Sequence, residues 1–156
     1  MQYLAEKYAK FMPQDLHGRY NVLEWLNWQV AGQGPMMGQL SHFTNYAPQL
    51  TDTDISYSFE RYKNEAHRLM GIIETRLEGR EFLAGNYSIA DMAAFSWALA
   101  YPFFGHSMGE FPRAQKWMDT IRARPAVEKG LAVMKDTPIS DPELSDETKA
   151  KLFGQK

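Results

Sequence analysis

The sequence has 156 residues, a formal net charge of -2, no cysteine, 44% hydrophobic residues and 13% aromatic residues. That length suits one domain that buries about 70% of its unfolded surface, and the near-neutral balance, without any basic run interleaved with aromatics, excludes an electrostatic footprint for nucleic acid or an anionic membrane. The missing thiols exclude a disulfide framework, a thiolate metal site and a cysteine nucleophile. With no basic leader before an apolar stretch and no continuously apolar window of about 20 residues, a soluble, untargeted, cytoplasmic protein is expected.

The opening MQYLAEKYAKF reads as the end of a helix: strong helix formers with nothing before them to cap an N-terminus, then Lys10 and the stop Pro13. After the linker FMPQDLHG, helical spacing runs from about His17 to Tyr46 through Tyr20, Leu23, Leu26, Trp28 and Val30. This predicts one long helix kinked at Gly32-Gln33-Gly34-Pro35, because Pro35 lacks the N–H that would bond the Ala31 carbonyl. The glycines of GQGPMMG are one residue off a dinucleotide-binding spacing and follow no strand. Their better reading is close helix approach, with the kink re-aiming Met36 and Met37 toward a pocket wall.

Ile55, Phe59, Tyr62, Ala66, Leu69, Met70, Ile73 and Leu77 carry the clearest amphipathic period in the chain, ended by Gly79. NYSIADMAAF follows, with Ser88 as N-cap, Asp91 as its capping-box partner, and Tyr87 with Met92 as a hydrophobic staple. The helix from Ile89 to about Phe103 is apolar nearly all round and belongs in the core. Two further helices are expected over Phe111–Arg122 and Ala126–Met134. From Thr137 the tail is polar, with Pro138 and Pro142 and at most a turn around Glu147 to Leu152. No strand alternation or repeat stands out, so the fold class is all-α.

The histidines His17, His42, His67 and His106 are scattered, with no pair at metal-ligand spacing, so no metal is expected. His42, beside Gln39 and Phe43 on the second half of the kinked helix, is either a pocket residue or a partly buried structural histidine. By spacing alone Arg61 reads as a solvated arginine paired with Glu65, and Asp91 as a structural cap. No activated nucleophile, carboxylate dyad or cofactor motif is present, and no catalytic residue is assigned.

Two stretches, WLNWQVAGQGPMMGQLSHF and ERYKNEAHRLMGIIETRLEGREFLAGNYSIADMAAFSWA, resemble the C-terminal helical domain of glutathione transferases, specifically the bacterial nu class and the related yeast nitrogen-regulatory, prion-forming protein. The resemblance implies a helical bundle of five to six helices with a long kinked first helix. It divides the chain into 1–12, a remnant of the last helix of a thioredoxin-like domain; 13–136, the helical domain; and 137–156, a polar tail. It further implies glutathione as co-substrate, contacted by Arg61, and a second-substrate pocket lined by Met36, Gln39, His42 and Phe43. The expected function is the helical half of a glutathione-dependent transferase or disulfide reductase acting on a small electrophile or disulfide. Its expected partners are a thioredoxin-like domain and a second copy in a homodimer, and the chain alone is expected to be inactive and to bind glutathione weakly or not at all. The alternative is a non-catalytic dimerisation or protein-interaction module of the same fold.

Overall fold

The computed structural model describes residues 1–133 and 145–154. Its helices are α1 (Gln2–Tyr8), α2 (Leu16–Trp28), α3 (Gly34–Ser41), α4 (Ser56–Arg76), α5 (Ile89–Ala100), α6 (Pro112–Arg122), α7 (Pro125–Val133) and α8 (Asp146–Phe153), with no strand among the described residues. Taking α2 and α3 as two limbs of one kinked helix, these limbs with α4 to α7 form the expected all-α bundle.

The kink takes a specific form. Between the limbs lies a π-helical turn, Gln29–Gln33, and Pro35 falls in the first turn of α3. A π turn accommodates one extra residue and redirects the following limb, so the proline sits where its missing N–H costs little. Gly34 is required by close approach: a Cβ there would lie 2.9 Å from Gln29 Nε2 and 3.2 Å from Trp97 Nε1. The glycine therefore lets α5 pack against the bend, as the small-residue reading anticipates. Met37 and Leu40 from α3 are fully buried, while Met36 stays half-buried.

The periodic stripe of α4 buries Ala66, Leu69, Met70 and Ile73 against this core, and Gly79 ends the segment at φ 67°. The central helix, α5, is shorter than its apolar run suggests. It stops at Ala100 and tightens into a 3₁₀ turn, Tyr101–Phe104, rather than continuing to Phe103, because Pro102 supplies no N–H to an α-helical ladder. Gly105, at φ 79°, then turns the chain away.

The capping box at the start of α5 forms as expected, with Ser88 N donating to Asp91 Oδ2 at 3.0 Å and Ala90 N donating to Ser88 Oγ at 3.3 Å. Asp91 does more than the box requires. Fully buried, it also accepts from Ser88 Oγ at 3.0 Å, Leu83 N at 2.9 Å and Trp117 Nε1 at 3.0 Å. Burial pushes its carboxyl above the ordinary range although all these donors pull it down. Tyr87, expected to staple Met92, packs its ring on Phe11 at 5.7 Å and on Phe82 at 5.4 Å, with the Arg124 guanidinium 3.8 Å from its centroid. The linker is anchored by Ile89 N donating to the Phe11 carbonyl at 3.0 Å, in a turn where Ala9 and Phe11 both take positive φ.

The tail differs from the expected loose segment. Where a turn was anticipated, α8 forms behind the N-cap Ser145, whose Oγ accepts from Thr148 N. Thr137, Pro138 and Pro142 lie outside the described residues.

Replacing Asp91 with alanine strands the Leu83 amide and the Trp117 indole N–H in the core. Each buried orphan donor costs about 1–3 kcal/mol, so Asp91→Ala should destabilise the protein by about 3 kcal/mol or more. Urea unfolding measures this, and a loss within ordinary surface-mutation range would contradict the structural role.

Candidate functional site

The outer face of α4 and the end of the kink enclose an open cleft of about 590 Å³ lined by Met36, Tyr57, Glu60, Arg61, Tyr62, Asn64, Glu65 and Arg68. The cleft arises from the helical repeat: Tyr57, Arg61, Asn64 and Arg68 recur at three- and four-residue steps on one side of α4, away from the stripe that enters the core. Met36 reaches the same cleft from the first turn of α3.

The charges in the cleft are unequally satisfied. Glu65 is taken by Arg68, whose Nε and Nη2 donate to its two oxygens at 2.8 and 2.7 Å. That fork holds the Glu65 carboxyl below the ordinary range, with the Arg61 charge adding a smaller long-range pull. The pairing of Arg61 with Glu65 read from spacing is therefore replaced by Arg68–Glu65. Arg61 has no ion pair among the described residues, and Glu60 pairs only with Lys63, at 3.7 Å. An exposed guanidinium in a cleft also lined by Tyr57 and Asn64 offers planar, bidentate recognition to a carboxylate.

The four residues expected to line the second-substrate pocket are not brought together. Met36 and Arg61 share the cleft, and Phe43 abuts it through a stacked contact with Tyr62 at 5.5 Å. Gln39 is exposed outside the cleft lining, and His42 points into a separate aromatic bay. Within a second π turn, His42–Tyr46, its ring meets Phe43 at 5.3 Å and Tyr46 at 6.3 Å, and it is covered by Phe153 of α8 at 5.3 Å. Phe153 also packs on Tyr46 at 5.2 Å. Ser88 and Asp91 lie far inside the core as the cap of α5. No His, Asp or Glu cluster suited to a metal occurs among the described residues, and no helix among them is long and apolar enough to cross a membrane.

Two features escaped the sequence reading. Scattered in sequence, His67 and His106 converge on Tyr101: His67 Nδ1 lies 3.2 Å from the Tyr101 hydroxyl, and the His106 ring stacks on Tyr101 at 4.3 Å. The only signal for this was the 3.6-residue phase that puts His67 on the edge of the α4 stripe. The second is an apolar groove of about 300 Å³ at the N-terminus, lined chiefly by Met1, Leu4, Tyr8, Phe11, Ile89 and Met92. Around it Tyr3 is 70% exposed and Tyr8 61% exposed.

Comparison with known proteins places this geometry among relatives. Residues 56–125 match the family described as "Glutathione S-transferase, C-terminal domain". Disulfide-bond oxidoreductase YfcG of Escherichia coli is 42% identical over 130 residues, which are 83% of this chain and 59% of that protein. A crystal structure of a glutathione transferase from Burkholderia graminis, with two glutathione molecules bound per subunit, aligns at a TM-score of 0.78 and 40% identity over 86% of this chain and 57% of that one. A glutathione transferase from Pseudomonas putida, solved with one glutathione disulfide per subunit, aligns at 0.74 and 37% identity, covering 85% and 59% of the respective chains. The chain thus spans well under two thirds of the length of these relatives.

Phe153→Ala should uncover the aromatic bay and raise the rate at which diethyl pyrocarbonate modifies His42, read by peptide mass spectrometry. An unchanged rate would show that α8 does not cover this histidine in solution.

Proposed function

Starting from a chain whose residues 56–125 match the glutathione S-transferase C-terminal domain, we propose that it forms the helical half of a glutathione-dependent transferase or disulfide-bond reductase. In this reading residues 13–136 are the functional domain and 1–12 belong to the end of a preceding thioredoxin-like domain. The single observation that carries the reading is the unpaired Arg61 guanidinium in the α4 cleft, on a chain whose relatives were solved with glutathione or its disulfide bound. Glutathione presents two carboxylates, and an arginine with no competing acidic partner is suited to one of them.

The cleft supplies position and charge rather than a nucleophile. Arg61 receives a carboxylate, Tyr57 and Asn64 offer further hydrogen bonds, and Glu65 is kept from competing because Arg68 already holds both of its oxygens. Met36 and Phe43 border the apolar side, where the second substrate, a small electrophile or the other half of a disulfide, would lie. His42 joins that pocket only if Phe153 withdraws from the bay, and Gln39 lies exposed outside the cleft lining. The thiol chemistry belongs to glutathione itself, with its activating groups on the thioredoxin-like partner.

A second reading is favoured by the N-terminal groove. Exposed apolar side chains of α1 flanking a groove that reaches the first turn of α5 suit a docking face, and here the chain would act as a dimerisation or interaction module. Light scattering across concentration separates the two: a monomer at all concentrations counts against self-association through this face.

Binding is tested by titrating glutathione and glutathione disulfide into isotope-labelled protein while following amide shifts. The expected result is weak, saturable movement confined to residues around 36 and 57–68, weakened by about 10-fold or more in Arg61→Ala, the loss of one charge-assisted hydrogen bond of about 1.5–3 kcal/mol. Equal binding by the variant, or shifts elsewhere, would overturn the assignment of Arg61.

A further inference from the structure

The segment from Tyr101 to Phe111 leaves the end of α5, turns at Gly105 and returns to start α6, and it meets the middle of α4 through one group of rings. Tyr101 is fully buried, and its hydroxyl lies 3.2 Å from His67 Nδ1. The opposite ring nitrogen of His67 faces Glu110, with Nε2 3.8 Å from Oε2. His106 lies flat on Tyr101, 4.3 Å between centroids at 10°, and 6.3 Å from His67. Phe111 closes the group, 5.1 Å from His67 and 5.9 Å from Tyr101.

The two imidazoles are not equivalent. His67 has an oxygen at each nitrogen, so a proton on its ring is met by the Tyr101 oxygen on one side and the Glu110 carboxylate on the other. His106 Nε2 is buried and has no hydrogen-bond partner. A proton placed there is desolvated and unpaired, a costly arrangement. The charges facing it come from both sides of the contact. From α4 these are Lys63 and His67, which oppose a second positive charge, and Glu60, which favours it. From the segment itself come Tyr101 and Glu110. α3, which also packs on the 3₁₀ turn, carries no titratable side chain, and in α5 the sole one is Asp91, held at the far end of the helix.

We propose that residues 101–111 form an acid-released clasp on α4: Tyr101 and Glu110 hold the segment against His67, and a proton on His106, whose buried ring nitrogen has no partner, expels its ring from the stack and detaches the segment. The direction follows from linkage. Burial first, then the Lys63 and His67 charges, hold His106 below its ordinary value of 6.5. A histidine that resists protonation when docked destabilises the docked form as pH falls through and below that ordinary value, and leaves it undisturbed above. Tyr101, pushed up to about 12 by burial and the Glu110 carboxylate, stays protonated throughout and adds no titration of its own. Detachment also removes His106 from Glu60, which lines the Arg61 cleft, so the clasp and the cleft share one carboxylate.

Hydrogen exchange of the 101–111 amides, corrected for intrinsic rate, measures the clasp directly between pH 7.5 and 5. Loss of protection toward acid is expected in the native protein and should be absent in His106→Phe, which keeps a flat ring on Tyr101 without a titrating group. Equal loss in the variant, or none in the native protein, would overturn the proposal. An NMR titration of the native protein needs no substitution: the His106 ring and the 101–111 amides should move with a common midpoint, and separate midpoints would equally overturn it.

Discussion

Asp91 is the interaction on which the bundle depends. A carboxylate without exposure is tolerated in a core only when its oxygens are filled, and here the donors come from three stretches of chain: Leu83 before the helix, Ser88 at its cap and Trp117 from α6. The bond to Leu83 fixes the loop that follows α4, the bonds to Ser88 set the first turn of α5, and the bond to Trp117 locks α6 across both. One side chain therefore sets the relative placement of three helices, and with it the outer face of α4 on which the cleft lies.

The bend between α2 and α3 complements this hub. A straight continuation of α2 would carry Met36 along a different line, whereas the π turn at Gln29–Gln33, Gly34 against Trp97 and Pro35 in the following turn bring α3 alongside α4. Gln33, fully buried, donates from Nε2 to the Ala94 carbonyl at 3.1 Å and so ties the turn to α5. The same bend that fills the core with Met37 and Leu40 leaves Met36 at the cleft. Packing and site geometry are thus two consequences of one backbone irregularity.

Much of this was legible from the residues. The α4 stripe, the capping box and the kink were local patterns, each fixed by contacts within a few residues of one another, and each appears where its spacing puts it. What was not legible depended on non-local placement. Arg68 and Arg61 are equally spaced candidates for Glu65, and only the side-chain geometry gives Glu65 to Arg68. His67 and His106 carry no shared motif because the loop that joins them is closed by the 3₁₀ turn at Pro102, which an apolar run conceals. The contact of His42 with Phe153 likewise joins segments distant in sequence, and no periodicity within either segment records it.

The anchored linker has a consequence for the order in which the molecule assembles. Phe11 contributes its carbonyl to the first amide of α5 and its ring to Tyr87, so the N-terminal segment finds its place only against partners distant in sequence. Closing so long a loop is entropically slow, while the α2 to α4 contacts join neighbours in the chain. The bundle therefore assembles from its middle outward, and the segment before α2 is among the last to settle. Until α5 is capped, the apolar side chains of α1 have no groove to meet, which makes this stretch the one most open to wrong association while the bundle forms.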